Sequence, residues 1–253
     1  MNKMKRKLGW KRDLPDQRDH IYSARHYGSQ LLPLSIDLRP GCPPVYDQLA
    51  LGSCTANALA GELEFDAIKQ KELPVTPSRL FIYYNERARE GTVAYDAGAS
   101  LRNGIKSINQ QGACTEILWP YDSAQLAVQP PATCYEDAAL HKALTYQRLA
   151  QSLAQMKTCM AEGYPILFGF SVYTSFESNQ VAQTGIVPMP AHNEVLQGGH
   201  AVLCVGYRED EQMFIVRNSW GSSWGQQGYC YMPYAYLLSS SLASDFWTVR
   251  TVQ

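Results

Sequence analysis

A cysteine preceded six residues earlier by a glutamine, in Gln48-Leu49-Ala50-Leu51-Gly52-Ser53-Cys54, forms the stretch of this sequence best suited to covalent chemistry. Gly52 and Ser53 permit a tight turn and an N-cap, and the small residues Thr55-Ala56-Asn57-Ala58 continue a helix, so the spacing predicts Cys54 at a helix N-terminus. The positive end of the helix dipole favours thiolate over thiol there. A lone cysteine is more often a buried core residue, so partners decide the matter. A nucleophilic thiol needs a base and a group that orients the base. Two downstream segments offer these types: Gln197-Gly198-Gly199-His200 places a histidine at the mouth of the apolar run Ala201 to Tyr207, and Phe214-Ile215-Val216-Arg217-Asn218 ends a second run in an asparagine.

The order Cys, His, Asn, with the last two beginning roughly 130–150 residues after the first, resembles the papain family of cysteine proteases. The most specific segment is Asn218-Ser219-Trp220-Gly221-Ser222-Ser223-Trp224-Gly225, followed by Gly228-Tyr229, which is similar to the family's Asn-Ser-Trp-Gly run and its sequel. The resemblance implies that Cys54 attacks the scissile carbonyl while His200 pairs with it and later protonates the leaving amine. Asn218 would hold the imidazole, as an aspartate does in serine triads. Gln48 would donate its side-chain amide to the oxyanion together with the Cys54 N–H, which makes it catalytic. Trp220 would shield the His200–Asn218 bond and Trp224 would line the leaving-group side, although core packing alone would also explain two tryptophans. Gly98 would pair with an extended substrate. Gly198 and Gly199 would border the pocket for the side chain two positions before the cut, where a bulky apolar residue is expected.

The sequence also departs from the family pattern. Leu51 and Tyr95 stand where a disulfide would tie the nucleophile turn to the cleft wall, and an apolar contact is the expected substitute. Thr55 and Asn57 stand where the family has tryptophan and phenylalanine.

Other elements must position these residues. Ala58, Leu59, Leu63, Ala67 and Ile68 suit one face of a helix from Cys54 to about Lys71. A second helix is expected from Pro77 to Arg89, capped by Ser78, and a third from Ser100 to Gln110, with Ser100 as cap and Leu101, Ile105 and Ile108 inward. The later half reads differently. After a helix within Leu149–Glu162, strand-like runs are expected at 165–172, 185–187, 201–207, 213–218, 228–232 and 246–252. The fold class is therefore α+β, and the resemblance implies two lobes: a helical left lobe (about 45–125) and an antiparallel β-barrel-like right lobe (about 126–253), with the active-site cleft between them.

Pro33-Leu34-Ser35-Ile36-Asp37-Leu38-Arg39 is similar to the start of the family's catalytic domain, giving a peptidase domain at 33–253 and a short N-terminal pro-segment at 1–32. Residues 8–31 are polar and turn-rich, which suits an arm on the surface. This arm is expected to cross or border the cleft and restrain activity.

With 253 residues and 45% hydrophobic content the chain can bury a substantial core, and a net charge of −1, from 22 basic and 23 acidic residues, gives no reason to expect nucleic acid or an anionic membrane as partner. The basic N-terminus lacks the apolar core of a secretory signal, and no run approaches the ~20 apolar residues of a membrane span. A cytoplasmic protein, or one exported without such a signal, is expected. His20, His26, His141 and His192 show no metal spacing, and the six other cysteines include no Cys-x-x-Cys pair, so no metal site or cofactor is expected. Those six allow 15 pairings, which leaves the redox compartment open. The resulting expectation is a monomeric cysteine endopeptidase, a thiol protease made as a zymogen and acting on polypeptides. The alternatives are a catalytically silent papain-fold binding protein or an acyl transferase using the same Cys-His-Asn site.

Overall fold

The computed structural model describes residues 6–23, 32–72 and 75–252. In chain order, β1 (Trp10–Lys11) and β2 (Ser35–Asp37) precede the helices α1 (Cys54–Lys69) and α2 (Arg79–Glu90), the short β3 (Ala99–Ser100), α3 (Leu101–Gln111) and α4 (Ala132–Ala138). The second half consists of β4 (Ala143–Arg148), α5 (Leu153–Ala161), β5 (Ile166–Tyr173), α6 (Asn179–Thr184), β6 (Leu196–Arg208), β7 (Met213–Arg217), β8 (Tyr229–Pro233), α7 (Tyr234–Leu238) and β9 (Ala243–Val252). Helices thus dominate the first half and antiparallel strands the second, as the patterning requires.

Six strands pair in the order β4-β9-β5-β6-β7-β8, with β2 added on β6. The end strands β4 and β8 do not pair with each other, so the sheet is open rather than a closed barrel. The expected strand at 185–187 reduces to a single bridge, Ile186 to Tyr231. One core, including Phe168, Phe170, Val202, Phe214 and Met232, fills one face of the sheet, and a second, including Leu59, Leu63, Ile82, Ile105, Leu203 and Trp247, joins the helices to the other. The register β5–β6 sets Phe170 opposite His200, on the strand against which α1 packs.

The helix α1 is buried continuously from Cys54 to Asp66, not along one face. It packs against α2, α3, β6 and β9, so neighbours on all sides replace solvent. Its N-cap also differs from expectation: the Ser53 side chain makes no capping bond and pairs with the Tyr121 hydroxyl instead. Ser78 does cap α2, accepting from the Phe81 N–H at 3.1 Å. Ser100 occupies the N-cap position of α3 but makes no side-chain capping bond. Leu101, Ile105 and Ile108 face inward as the pattern predicts.

The N-terminal segment is anchored at both ends of its described portion. Trp10 and Lys11 pair in parallel with Ala99 and Ser100. Further along, the Asp13 N–H donates to Asp245 Oδ2 at 2.7 Å, and Trp247 Nε1 donates to Asp13 Oδ2 at 3.0 Å. Asp19 accepts from Arg102 and Arg148, and the Tyr22 N–H bonds the Arg148 carbonyl at 2.8 Å. Buried Asp13 and Tyr22 show that this arm is packed into the surface rather than laid over it. Its continuation at 24–31 lies outside the described residues.

Candidate active site

Cys54 opens α1 and is fully buried, beside the backbone N–H groups of Ala201 on β6 and Gly9 in the arm. Burial pushes its thiol up to about 11, against the opposing effect of those N–H groups. The helix N-terminus alone predicts the reverse, and the difference is desolvation, since the thiol is covered.

His200 Nε2 donates to Asn218 Oδ1 at 2.8 Å, so the asparagine, which follows the last residue of β7, holds a ring carried on the adjacent β6. The other ring nitrogen, Nδ1, is buried with no hydrogen-bond partner among the described residues. Burial draws the His200 pKa down to about 4, with the Asn218 bond opposing and the Arg6 charge adding to the fall. In this arm-covered arrangement burial disfavours the charged form of both thiol and imidazole.

Aromatic rings enclose the pair. The Trp220 ring lies 5.1 Å from that of His200, Trp224 meets Trp220 edge-on at 5.2 Å, and Phe176 packs on both tryptophans and on His200. Such a wall excludes water from the His200–Asn218 bond.

Gln48 is buried, with Nε2 donating to the Lys7 carbonyl at 3.0 Å and to the Leu51 carbonyl at 2.8 Å. Its Oε1 accepts from Ser219 Oγ at 2.7 Å, which fixes which end of the amide faces the cleft. The backbone around it is stitched across the cleft floor: Gln48 N–H to the Ser219 carbonyl at 2.9 Å, and the Tyr121 hydroxyl to the Gln48 carbonyl at 2.9 Å.

The arm fills the remaining cleft. The Gly9 carbonyl accepts from Ala99 N–H at 2.8 Å, and a Cβ added to Gly98 would fall 2.0 Å from it, a close approach that only glycine allows. A Cβ on Gly198 would meet Leu8 at 3.1 Å. Trp10 fits a slot where Cβ atoms on Gly169 and Gly199 would fall 1.9 Å and 2.6 Å from its ring. Gly98, Gly198, Gly199 and Gln48 therefore all touch one extended peptide, which is the chain's own.

No disulfide ties the nucleophile turn, since all seven cysteines are free. The expected apolar substitute between Leu51 and Tyr95 is also absent: Leu51 packs with Leu80, Phe81 and Trp119, while Tyr95 is exposed. A polar clasp does the joining. Both Asp96 carboxylate oxygens lie 3.1 Å from the Gly52 N–H, and the carboxylate also accepts from the Tyr83 hydroxyl. Thr55 and Asn57 join polar networks in the same way, Thr55 Oγ1 donating to Glu86 at 2.7 Å and Asn57 Nδ2 to the Ser53 carbonyl at 2.9 Å.

Sequence reasoning did not single out Ser219, Asp96, Tyr121, Phe176 or Gly169. Ser219 lies inside the marked run Asn218-Ser219-Trp220, and Asp96 lies between the marked positions Tyr95 and Gly98. Nothing local to Gly169 marks it, because its role follows from strand pairing with Ala201 and contact with Trp10.

A model of the papain family cysteine proteases matches residues 32–244. An uncharacterized peptidase C1-like protein of Acanthamoeba polyphaga mimivirus is 47% identical over 215 residues, which cover 81% of this chain and 69% of that protein. Xylellain, a cysteine protease from Xylella fastidiosa, superposes with a TM-score of 0.93 at 43% identity, covering 97% of this chain and 96% of that one. A cathepsin B-like protein of Giardia intestinalis, CP3, is 28% identical over 213 residues, 78% of this chain and 68% of its own length. Among the described residues no helix is long and apolar enough to cross a membrane. With sequence, fold and family model in agreement, the chain belongs to the papain family of cysteine proteases and is a cysteine peptidase.

Proposed function

We propose that the chain is an endopeptidase that cleaves polypeptides through a Cys54 acyl-enzyme and is held inactive by its own N-terminal segment, residues 1–32. The observation that carries this reading is the Lys7 carbonyl seated on Gln48 Nε2 at 3.0 Å, beside the buried Cys54. Gln48 and the Cys54 N–H would hold a substrate oxyanion in that place. Cys54 would attack as the thiolate, paired with His200⁺ once the cleft is open to water, and Asn218 would keep the ring in line through its 2.8 Å bond. His200 then protonates the leaving amine, on the side walled by Trp220 and Trp224.

The arm's direction explains why it blocks the site without being cut. Arg6 lies at Trp220, whereas Leu8, Gly9 and Trp10 run toward Gly198, Gly98 and Gly199. The nitrogen that would leave from the Lys7–Leu8 bond therefore travels away from Trp220. A productive substrate runs the other way. Trp10, seated between Gly169 and Gly199, supports the expectation that this pocket takes a bulky apolar side chain two positions before the cut.

The test compares hydrolysis of quenched fluorescent peptides by the full chain and by a chain starting at residue 33. Faster hydrolysis by the shorter chain is expected, with aromatic or large aliphatic residues favoured two places before the cut. Equal rates would refute the restraint, and a strict preference for charged residues at that position would refute the pocket assignment.

A further inference from the structure

Arg6 occupies a seat more elaborate than an arm anchor needs. Its guanidinium makes a two-pronged contact with the Asp47 carboxylate, in which Nη2 lies 3.1 Å from Oδ2 and Nη1 bonds Oδ1, and Nη2 also donates to the Trp220 carbonyl at 2.9 Å. The guanidinium carbon lies 5.8 Å from the Trp220 ring centroid. A planar fork, a carboxylate, a carbonyl and an indole face are the complement of a guanidinium rather than of an ammonium point charge.

The seat does not depend on the arm for its shape. Asp47 and Trp220 form a backbone bridge, the Gly221 N–H bonds the Tyr46 carbonyl at 2.9 Å, and Arg79 donates to the Asp47 carbonyl at 3.1 Å. The Asp47 side chain accepts a further bond from the Leu49 N–H at 2.8 Å, which fixes its orientation. Although burial raises the Asp47 pKa, the Arg6 bonds and the Leu49 N–H outweigh it, and the group sits below the usual carboxylate range. Once Arg6 departs, the Asp47 carboxylate and the Trp220 carbonyl are left facing the leaving-group side of the cleft.

We infer that Asp47, with the Trp220 carbonyl and ring, is a guanidinium subsite that selects polypeptides carrying arginine at the first or second position after the cut, and that Arg6 fills it in the covered chain. This rests on the reading of the cleft as a peptidase site closed by the arm.

The test uses the full chain carrying Arg6→Ala and Trp10→Ala, which empties the seat whether or not the rest of the arm moves. Quenched peptides identical except for arginine, citrulline or lysine at those two positions are compared for kcat/KM. Arginine is expected to exceed citrulline roughly tenfold, with lysine between them, and adding Asp47→Asn, which retains an acceptor for the Leu49 N–H, is expected to bring the ratio near one. Hydrolysis with no arginine preference, or a preference that survives Asp47→Asn, would overturn the subsite and leave the peptidase reading standing. If no peptide is hydrolysed, the peptidase reading fails, and calorimetric binding of the arginine and citrulline peptides to the same chain with Cys54→Ser decides the subsite. Tighter arginine binding that depends on Asp47 supports it, and equal or undetectable binding of both overturns it.

Discussion

Replacing Trp10 by alanine in the full chain removes the largest side chain that the arm places in the cleft. The indole sits between Gly169 and Gly199 and is partly buried. A tryptophan buries roughly 150–250 Å². Taking about two thirds of that at ~25 cal/mol per Å² gives about 2.5–4 kcal/mol. The Trp10 Nε1–H is buried without a partner among the described residues, which offsets ~1 kcal/mol or more. The net loss of arm affinity is therefore about 1.5–3 kcal/mol, or a rise of roughly ten- to hundredfold in the fraction of chains with an open cleft, at ~1.4 kcal/mol per tenfold. The assay is the initial rate of hydrolysis of a quenched peptide, at substrate well below KM so that the rate follows the open fraction. A rise of that size, levelling off if the arm becomes mostly detached, is expected. Trp10→Phe deletes the unpartnered N–H while keeping most of the ring, and should stay within about threefold of the unsubstituted chain. A rate within twofold for Trp10→Ala would refute the reasoning, because the arm would then be held by something other than this slot.

Four further outcomes follow from the same geometry. In the Trp10→Ala chain, Gln48→Ala should lower kcat by ~100- to 1,000-fold with little change in KM, since its amide would act on the oxyanion; steady-state kinetics checks this. Asp96→Ala leaves the Gly52 N–H unpaired and should cost roughly 1.5–3 kcal/mol, seen as a fall of several degrees in the thermal midpoint, and Leu51→Ala should cost about 2–4 kcal/mol by emptying part of a packed cluster. Finally, in a Cys54→Ser chain, where no thiolate can pair with the ring, the covered His200, held near 4 against an ordinary 6.5, disfavours the closed arm progressively as pH falls from ~6.5 toward 4, because only the uncovered ring can take up the proton. The Ala99 amide, bonded to the Gly9 carbonyl, should lose exchange protection by up to about tenfold per pH unit across that range, and His200→Gln should remove that portion of the dependence.

Much of the site was legible because its residues lie in short runs with characteristic neighbours. Cys54 opens α1 and Asn218 follows the last residue of β7, positions that can be read from local pattern, whereas His200 lies inside β6, which begins at Leu196 rather than at the apolar run from Ala201. Ser78 and the inward Leu101, Ile105 and Ile108 were legible for the same reason. The contents of the cleft were only half legible. A polar, turn-rich N-terminus signals an arm, yet that Gly9 passes over Gly98 and Trp10 enters a slot between Gly169 and Gly199 depends on contacts across the whole chain. For Cys54, burial opposes the effect of the helix N-terminus, and how deeply a thiol is covered cannot be read from the local sequence. The Asp96 clasp was likewise hidden: a missing disulfide can be read from a sequence, but which polar group replaces it depends on where two loops meet. All-round burial of α1 follows from neighbours on every side, which no single-helix periodicity reports.

The central claim is that Cys54 is the nucleophile of an assembled Cys-His-Asn site. The most direct measurement is the intact mass of the Trp10→Ala chain after treatment with a peptidyl epoxide directed at papain-like thiols, followed by peptide mapping. Cys54 is covered in part by the arm, whose Gly9 lies beside it and which Trp10→Ala loosens, whereas Cys114, Cys134, Cys159, Cys204 and Cys230 are buried in the clusters of the folded domain. A single adduct on Cys54 that is lost in His200→Ala is the expected result. An adduct on another cysteine, or labelling of Cys54 undiminished by His200→Ala, would contradict the claim.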